Sequence, residues 1–259
     1  MKALLYGIVF MFISSVTAYP MTYEQMMNLK GANMLGVRAD VLLKQYGLPT
    51  YIVDQGVTTD MPRKKVKWGR HKFKLTDDNW NFVYITKKLK KEDIDARYWI
   101  NTNPIFPVEF GDLVHIVFIT AGKRIDLIYD KEQKKYITKA PKTLFESHEV
   151  TYITGSFASS IPVGEITTLY GEDYKKVRDT TQKEVIRYSI VKKGYSDYPE
   201  FVYQVDFHTN GYSVNGYNMS FDYAKWYELV DKWLIEQREK VRTELGLDKA
   251  QPAAKPAKE

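Results

Sequence analysis

Hydrophobic and polar positions alternate with a period of two along much of the chain, which predicts β-strands with one buried face. Val66 and Trp68 alternate with Lys65 and Lys67 in the first such stretch. Further candidate strands lie at residues 80–84, 113–120, 124–129, 174–177, 184–191 and 201–208, followed by a last strand from Tyr212.

The turn Ala121-Gly122-Lys123 separates two of these strands, so residues 113–120 and 124–129 are expected to pair as a hairpin. The chain holds 20 Tyr, 12 Phe and 5 Trp, and aromatic side chains suit half-buried pleated surfaces. Pattern and composition together predict a protein rich in antiparallel sheet.

Helical signals in the first half are confined to two short stretches. Thr22 begins a helix, and Gln25 three residues later completes a capping box. A second helix is predicted from Arg38 to Tyr46, because Gly47 can adopt the left-handed C-terminal conformation and Pro49 prevents continuation.

The second half contains two further predicted helices. Residues 162–170 form the first, with Ser160 as its cap and Gly171 as its stop. Residues 222–246 place their large apolar side chains on one stripe, which predicts an amphipathic helix. Residues 247–259 are rich in Lys, Ala and Pro and predict a disordered tail.

Short motifs recur in the two halves. Tyr46-Gly47 is matched by Tyr170-Gly171 at an offset of 124 residues. Phe118-x-Thr120-x-Gly122 is matched by Phe207-x-Thr209-x-Gly211 at an offset of 89 residues. The two offsets place about 35 extra residues in the first copy, near residues 60–110, and indicate an internal repeat.

These patterns predict an α+β fold of two tandem units, each with short helices packed on antiparallel sheet, plus a C-terminal amphipathic helix. The predicted organisation is a signal peptide (1–18), a first unit with a basic insertion near 60–110 (19–135), a second unit (136–221), the C-terminal helix (222–246) and the tail (247–259).

The first 18 residues have the order of a secretory signal peptide. Lys2 precedes an apolar run over residues 3–13, and Val16 and Ala18 supply short side chains before a cleavage site. The run is shorter than the ~20 residues that span a bilayer, although an uncleaved membrane anchor is the competing interpretation. The chain has no cysteine, which favours a Gram-negative periplasm. We therefore expect a periplasmic or secreted protein with no transmembrane segment after cleavage.

Basic and aromatic side chains are interleaved between residues 63 and 91, and this segment is the best candidate binding surface. The residues selected are Arg63, Lys64, Lys65, Lys67, Trp68, Arg70, Lys72 and Trp80. In an exported protein such a surface attracts an acidic protein or an anionic envelope polymer or lipid, rather than nucleic acid. The alternative is a solvated hairpin whose aromatic side chains face inward.

Catalytic motifs are missing from the sequence. There is no cysteine nucleophile, no Gly-x-Ser-x-Gly elbow and no phosphate-binding glycine pattern. His148-Glu149 starts like a zinc-protease motif, but Tyr152 stands where the second histidine is needed. The sequence predicts no cofactor and no metal. A site built from scattered Asp77, Asp78, His115, His148 and His208 remains as the hydrolase alternative.

The order of short helix, Tyr-Gly stop and antiparallel meander resembles a known group of proteins. The residues that carry the resemblance are Leu42-Leu43-Lys44-Gln45-Tyr46-Gly47-Leu48-Pro49, Trp80-Asn81-Phe82-Val83-Tyr84, and Tyr170-Gly171 with the strands that follow. This pattern is similar to the beta-lactamase inhibitor protein and to the small outer-membrane assembly lipoproteins that share its helix-plus-sheet unit. The chain departs from this group in having no lipobox cysteine, no disulfide pair and a long basic insertion. The resemblance implies a non-catalytic module that binds another protein.

The sequence thus predicts an exported, non-catalytic protein that binds a protein partner in the cell envelope. The alternatives are the hydrolase with scattered residues, and adhesion to anionic lipid or polysaccharide through the basic segment.

Overall fold

The computed structural model describes residues 20–87, 89, 98–122, 126–130, 135–139, 141–179, 183–192 and 201–221, together with residues 232, 235, 236, 239 and 243. The predicted signal peptide, the tail and most of the predicted helix at 222–246 lie outside these residues. Within that helix, Lys232, Ile235, Glu236, Glu239 and Thr243 are described, and all five are helical.

The described chain is dominated by β-strands that follow one another with few helices between them. In chain order they are β1 (Tyr51–Asp54), β2 (Lys64–Trp68), β3 (His71–Leu75), β4 (Trp80–Ile85), β5 (Trp99–Ile100), β6 (Leu113–Ala121), β7 (Asp126–Asp130), β8 (Lys135–Lys139), β9 (Glu149–Pro162), β10 (Lys175–Arg178), β11 (Glu184–Lys192), β12 (Phe201–Thr209) and β13 (Ser213–Phe221). Nine of them form one antiparallel sheet in the order β10-β11-β12-β13-β9-β6-β4-β1-β5. The pairs β2–β3 and β7–β8 form separate two-stranded sheets.

The predicted fold class, an α+β arrangement of two tandem helix-on-sheet units, is wrong. The large sheet is continuous, because β9 pairs with β6 on one side and with β13 on the other. Strands from both predicted units therefore share one hydrogen-bonded sheet. The fold is sheet-dominated, and its helices are short.

Three α-helices are described over their whole length: α1 (Tyr23–Met27), α2 (Ala39–Tyr46) and α3 (Val163–Tyr170). Short 3-10 helices cover Ala32–Met34, Gln55–Thr59 and Val108–Phe110. The capping box of α1 is confirmed, since Thr22 Oγ1 accepts from the Gln25 N–H and Gln25 Oε1 accepts from the Thr22 N–H. Gly47 and Gly171 end α2 and α3, as predicted. The left-handed helical conformation predicted for Gly47 is wrong, because its φ of 73° is combined with a ψ of −164°. Ser160 is not the cap of α3, because it lies within β9 and Pro162 occupies the N-cap position.

Most predicted strands are confirmed, but the predicted hairpin of residues 113–120 with 124–129 is wrong. Strand β6 pairs with β4 and β9, whereas β7 pairs with β8. Pairing between strands that are distant in the sequence therefore overrides the local turn signal at Gly122.

The core lies on one face of the large sheet. Trp80, Phe82 and Tyr84 of β4 point into it, as do Phe118 of β6 and Phe207 of β12, and all five are fully buried. The helices cover this same face through aromatic side chains such as Tyr46 of α2, which stacks on Phe118 at 5.8 Å between ring centroids. The alternation therefore gives the large sheet one apolar face under the helices and one more polar face.

Candidate functional site

The basic segment forms the β2–β3 hairpin, which stands outside the large sheet. Gly69 and Arg70 form its two-residue turn, and Gly69 has φ +54°. A positive φ at the first turn residue is the pattern of a type II′ turn, whose twist matches the flanking strands. The register is Lys64–Leu75, Lys65–Lys74, Val66–Phe73, Lys67–Lys72 and Trp68–His71.

The inner face of the hairpin attaches it to the core. Val66, Phe73 and Leu75 are buried. The Phe73 ring lies 5.4 Å from Phe145 and 4.7 Å from Trp99, measured between centroids. The hairpin is therefore packed against the main body along its whole apolar side.

A buried carboxylate fixes the end of β3 to β1. Asp54 accepts hydrogen bonds from the Gly56 N–H at 3.1 Å, from the Thr76 N–H at 2.7 Å and from Thr76 Oγ1 at 2.6 Å. Gly56 precedes the hairpin and Thr76 follows it. Sequence reasoning did not identify Asp54, because nothing local in the sequence predicts that it meets Thr76.

The outer face of the hairpin consists of four exposed lysines, Lys65, Lys67, Lys72 and Lys74, which we call the lysine face. Residues opposite each other in an antiparallel pair project from the same side, so Lys65 faces Lys74 and Lys67 faces Lys72. Like charges in this arrangement destabilise a sheet. Within the described chain, no carboxylate forms an ion pair with any of the four.

The other predicted surface residues surround the lysine face, with one exception. Arg63 and Arg70 are exposed at opposite ends of the hairpin, and Lys64 donates to the Asp77 carboxylate. Trp68 is half-buried against Phe145. Trp80 does not belong to the surface: its side chain is fully buried and its Nε1 donates to the Thr76 carbonyl at 3.2 Å.

Two clefts border the hairpin. The first, of about 790 Å³, runs along β2 and is closed on its far side by the segment from Pro141 to His148. The second, of about 510 Å³, is lined by residues of both β2 and β3, including Phe73 and several basic side chains, together with Tyr98 and Trp99. No local sequence pattern indicates that residues 141–148 form a wall here, since they lie more than 60 residues from the hairpin.

His148 holds that wall in place. Its Nε2 lies 2.9 Å from the Asp78 carbonyl oxygen and its Nδ1 lies 2.9 Å from the Leu144 carbonyl oxygen. The imidazole stacks on Trp80 with 3.7 Å between centroids. Both ring nitrogens face backbone acceptors, so this side chain links the wall to the loop before β4.

The residues of the hydrolase alternative do not converge on one site. Asp77 and His148 both line the cleft along β2, but Asp77 is paired with Lys64 and the ring nitrogens of His148 face backbone carbonyls. His115 lies on β6, where burial lowers its pKa. His208 lies on β12, 3.8 Å from the Asp179 carboxylate. Asp77, His115, His148 and His208 therefore do not form one acid–base site.

The polar face of the large sheet carries an ion pair between β11 and β12, near the β10 edge. Arg187 donates to both carboxylate oxygens of Asp206 at 2.8 Å, and Gln204 Nε2 donates to the same carboxylate at 3.1 Å. Burial raises the pKa of Tyr152 to about 12, aided by the negative charge of Asp206. These contacts satisfy the carboxylate and stabilise the sheet.

Among the side chains that the structure describes, no group of three or more His, Asp or Glu is placed to hold a metal ion. None of the helices in the described ranges is both long enough and apolar enough to cross a membrane.

Comparison of the chain with protein-family models, with curated proteins and with solved structures finds no match. The resemblance to the beta-lactamase inhibitor protein and the outer-membrane assembly lipoproteins therefore stays a prediction. The hairpin and its clefts therefore carry the functional proposal.

Proposed function

We propose that this chain is an exported, non-catalytic binding protein that holds an acidic region of a protein partner in the cell envelope. The lysine face of the β2–β3 hairpin is the contact surface. Export follows from the signal-peptide pattern of residues 1–18.

The lysine face is the observation that carries the proposal. Four cations stand in two directly opposed pairs, and the described residues supply no carboxylate to neutralise them. Such pairs cost folding stability, whereas an acidic partner would convert their repulsion into attraction and would be steered towards them from a distance. A surface that is costly in the free protein and favourable in a complex supports a role in binding.

The clefts favour a protein partner over a flat or uniform polyanion. Each is lined by apolar as well as basic side chains, with Leu144 in one and Phe73 and Trp99 in the other. Specific protein interfaces combine apolar anchors with charged groups at their rim. A planar membrane surface would contact the lysines and leave both clefts empty.

Binding of the purified protein to immobilised poly-L-glutamate, an acidic polypeptide probe, tests the proposal. The double variant Lys65→Glu/Lys67→Glu replaces two attractive contacts with two repulsive ones and should weaken binding about tenfold or more at low salt. The control variant Lys175→Glu/Lys183→Glu makes the same change in net charge at exposed positions of the β10–β11 end, and it should bind like the wild type.

Equal weakening by both variants would reduce the interaction to net charge and overturn the lysine face as its site. Tighter binding to phosphatidylglycerol vesicles or to an anionic polysaccharide than to poly-L-glutamate would contradict a protein partner. Binding that does not weaken with added salt would contradict an electrostatic contact altogether.

A further inference from the structure

Strand β2 has a free edge. The turn hydrogen bond of the hairpin joins Trp68 to His71, so the pairs that form ladder hydrogen bonds are Trp68–His71, Val66–Phe73 and Lys64–Leu75. The backbone N–H and C=O groups of Lys65 and Lys67 therefore point away from β3. Within the described residues, no hydrogen bond reaches these backbone groups.

The free edge faces the cleft of about 790 Å³. Four consecutive residues of β2, from Lys64 to Lys67, line one side of it, and Pro141 to Leu144 line the other. Four strand residues span about 13 Å, so the cleft is a groove parallel to a strand. An extended peptide lying in it would have its backbone beside that of β2.

The groove is basic. Lys64, Lys65, Lys67 and Lys142 line it, and Asp77, which is paired with Lys64, is the one carboxylate among its lining residues. Its inner side is different, because Val66 is buried there and Leu144 and the stacked His148 lie beside it. The two sides of a strand placed in this groove would meet a cationic rim and a more apolar floor.

We propose that the partner contributes an extended acidic segment that adds to the edge of β2 as a further strand. Its backbone pairs with the free groups of Lys65 and Lys67, which is the strand-addition mode of peptide recognition. Side chains alternate across a strand, so residues opposite Lys65 and Lys67 are acidic and the residues between them are small and apolar. This inference rests on the proposed function and specifies how the partner binds.

Two peptides of about eight residues, the groove length with a short extension at each end, test the alternation. One alternates Glu and Val, and the other contains the same residues in two blocks. The alternating peptide places every carboxylate on one side and should bind about tenfold more tightly than the block peptide. Equal, salt-sensitive binding of both would overturn strand addition and leave the charge-based function standing, whereas binding of neither would count against both.

Backbone pairing is tested on the peptide, where folding of the protein is not at risk. N-methylation of alternate residues in one register removes the N–H groups that face β2, and in the other register it removes those that face away. The first should weaken binding roughly tenfold and the second much less, since two hydrogen bonds are lost only in the first. Equal effects in the two registers would overturn strand addition.

A matched pair of protein variants checks the same point from the β2 side. Lys65→Gln removes the charge and keeps the N–H, while Lys65→Pro removes both and leaves the ladder to β3 intact. Binding of the alternating peptide should be weaker for Lys65→Pro than for Lys65→Gln, with the fold of each variant verified by near-UV circular dichroism. Equal affinities in two folded variants would contradict the proposal.

Discussion

The β1–β4 end and the β10–β11 end of the large sheet each begin with a corner, the place where a short helix ends at a glycine and the chain enters the sheet. The two corners have the same arrangement, but the chain that follows them differs. At one end, the Tyr84 hydroxyl donates to the Gly47 carbonyl at 2.8 Å; at the other, the Tyr188 hydroxyl donates to the Gly171 carbonyl at 2.7 Å. Both glycines have φ and ψ values, 73° and −164° against 91° and 170°, that are open essentially to glycine alone.

The aromatic packing behind the two corners also agrees. Tyr46 stacks on Phe118 at 5.8 Å between centroids, and Tyr170 stacks on Phe207 at 5.3 Å. The strand tyrosines meet the same phenylalanines edge-on, at interplanar angles of 90° and 89°. The predicted motif matches therefore occupy equivalent places in one continuous sheet.

The connection after the corner is where the two ends differ. Between β10 and β11 lie only residues 179–183, and the Asp179 N–H donates to the Lys183 carbonyl at 2.9 Å. Between β1 and β4 it extends over residues 55–79, which contain the β2–β3 hairpin and its lysine face. The corners are common to both ends of the sheet. The β2–β3 hairpin is present at one end only, so the corner itself does not require it.

The largest expected effect concerns the shared corner. Phe118→Ala and Phe207→Ala each remove a fully buried ring that packs on the helix tyrosine and the strand tyrosine of its corner, and each should lower the free energy of unfolding by about 3–5 kcal/mol. Urea denaturation measures both losses. If the corners are equivalent, the two losses agree to within about 1 kcal/mol; a cost confined to one end would break the comparison.

A much smaller change in the free energy of unfolding, of opposite sign, is expected for a substitution in the β2–β3 hairpin. Lys67→Glu places a carboxylate opposite Lys72 and should raise the free energy of unfolding by about 0.5 kcal/mol at low salt. Lys67→Gln removes the repulsion without adding attraction and should give a smaller gain. The gain should fade in high salt, and loss of stability in Lys67→Glu would show that the lysine pairs do not strain the free protein.

Local features of this fold could be predicted from the sequence because neighbouring residues determine them. The alternation of Val66 and Trp68 with lysines gave both faces of β2, and the Tyr-Gly pairs marked the ends of α2 and α3. The same alternation misplaced Trp80, since a period of two separates the faces of a strand without telling which face the core covers.

Features that depend on distant pairing could not be predicted. The continuity of the sheet depends on β9, which joins β6 to β13 across the predicted boundary between two units. The groove beside β2 exists because His148 contacts the Asp78 carbonyl, 70 residues away in the chain. No local pattern encodes either contact. The basic strand β2 could therefore be predicted from the sequence, but the groove beside it could not.

Backbone amide chemical shifts, recorded for the isotope-labelled protein during titration with the alternating Glu–Val peptide, test the central claim most directly. Strand addition at β2 predicts the largest shifts at Lys64–Lys67 and at residues 142–148, with little change at the β10–β11 end. Shifts centred on the polar face around Asp206, or spread evenly over the amides of basic residues at both ends of the sheet, would contradict strand addition at β2.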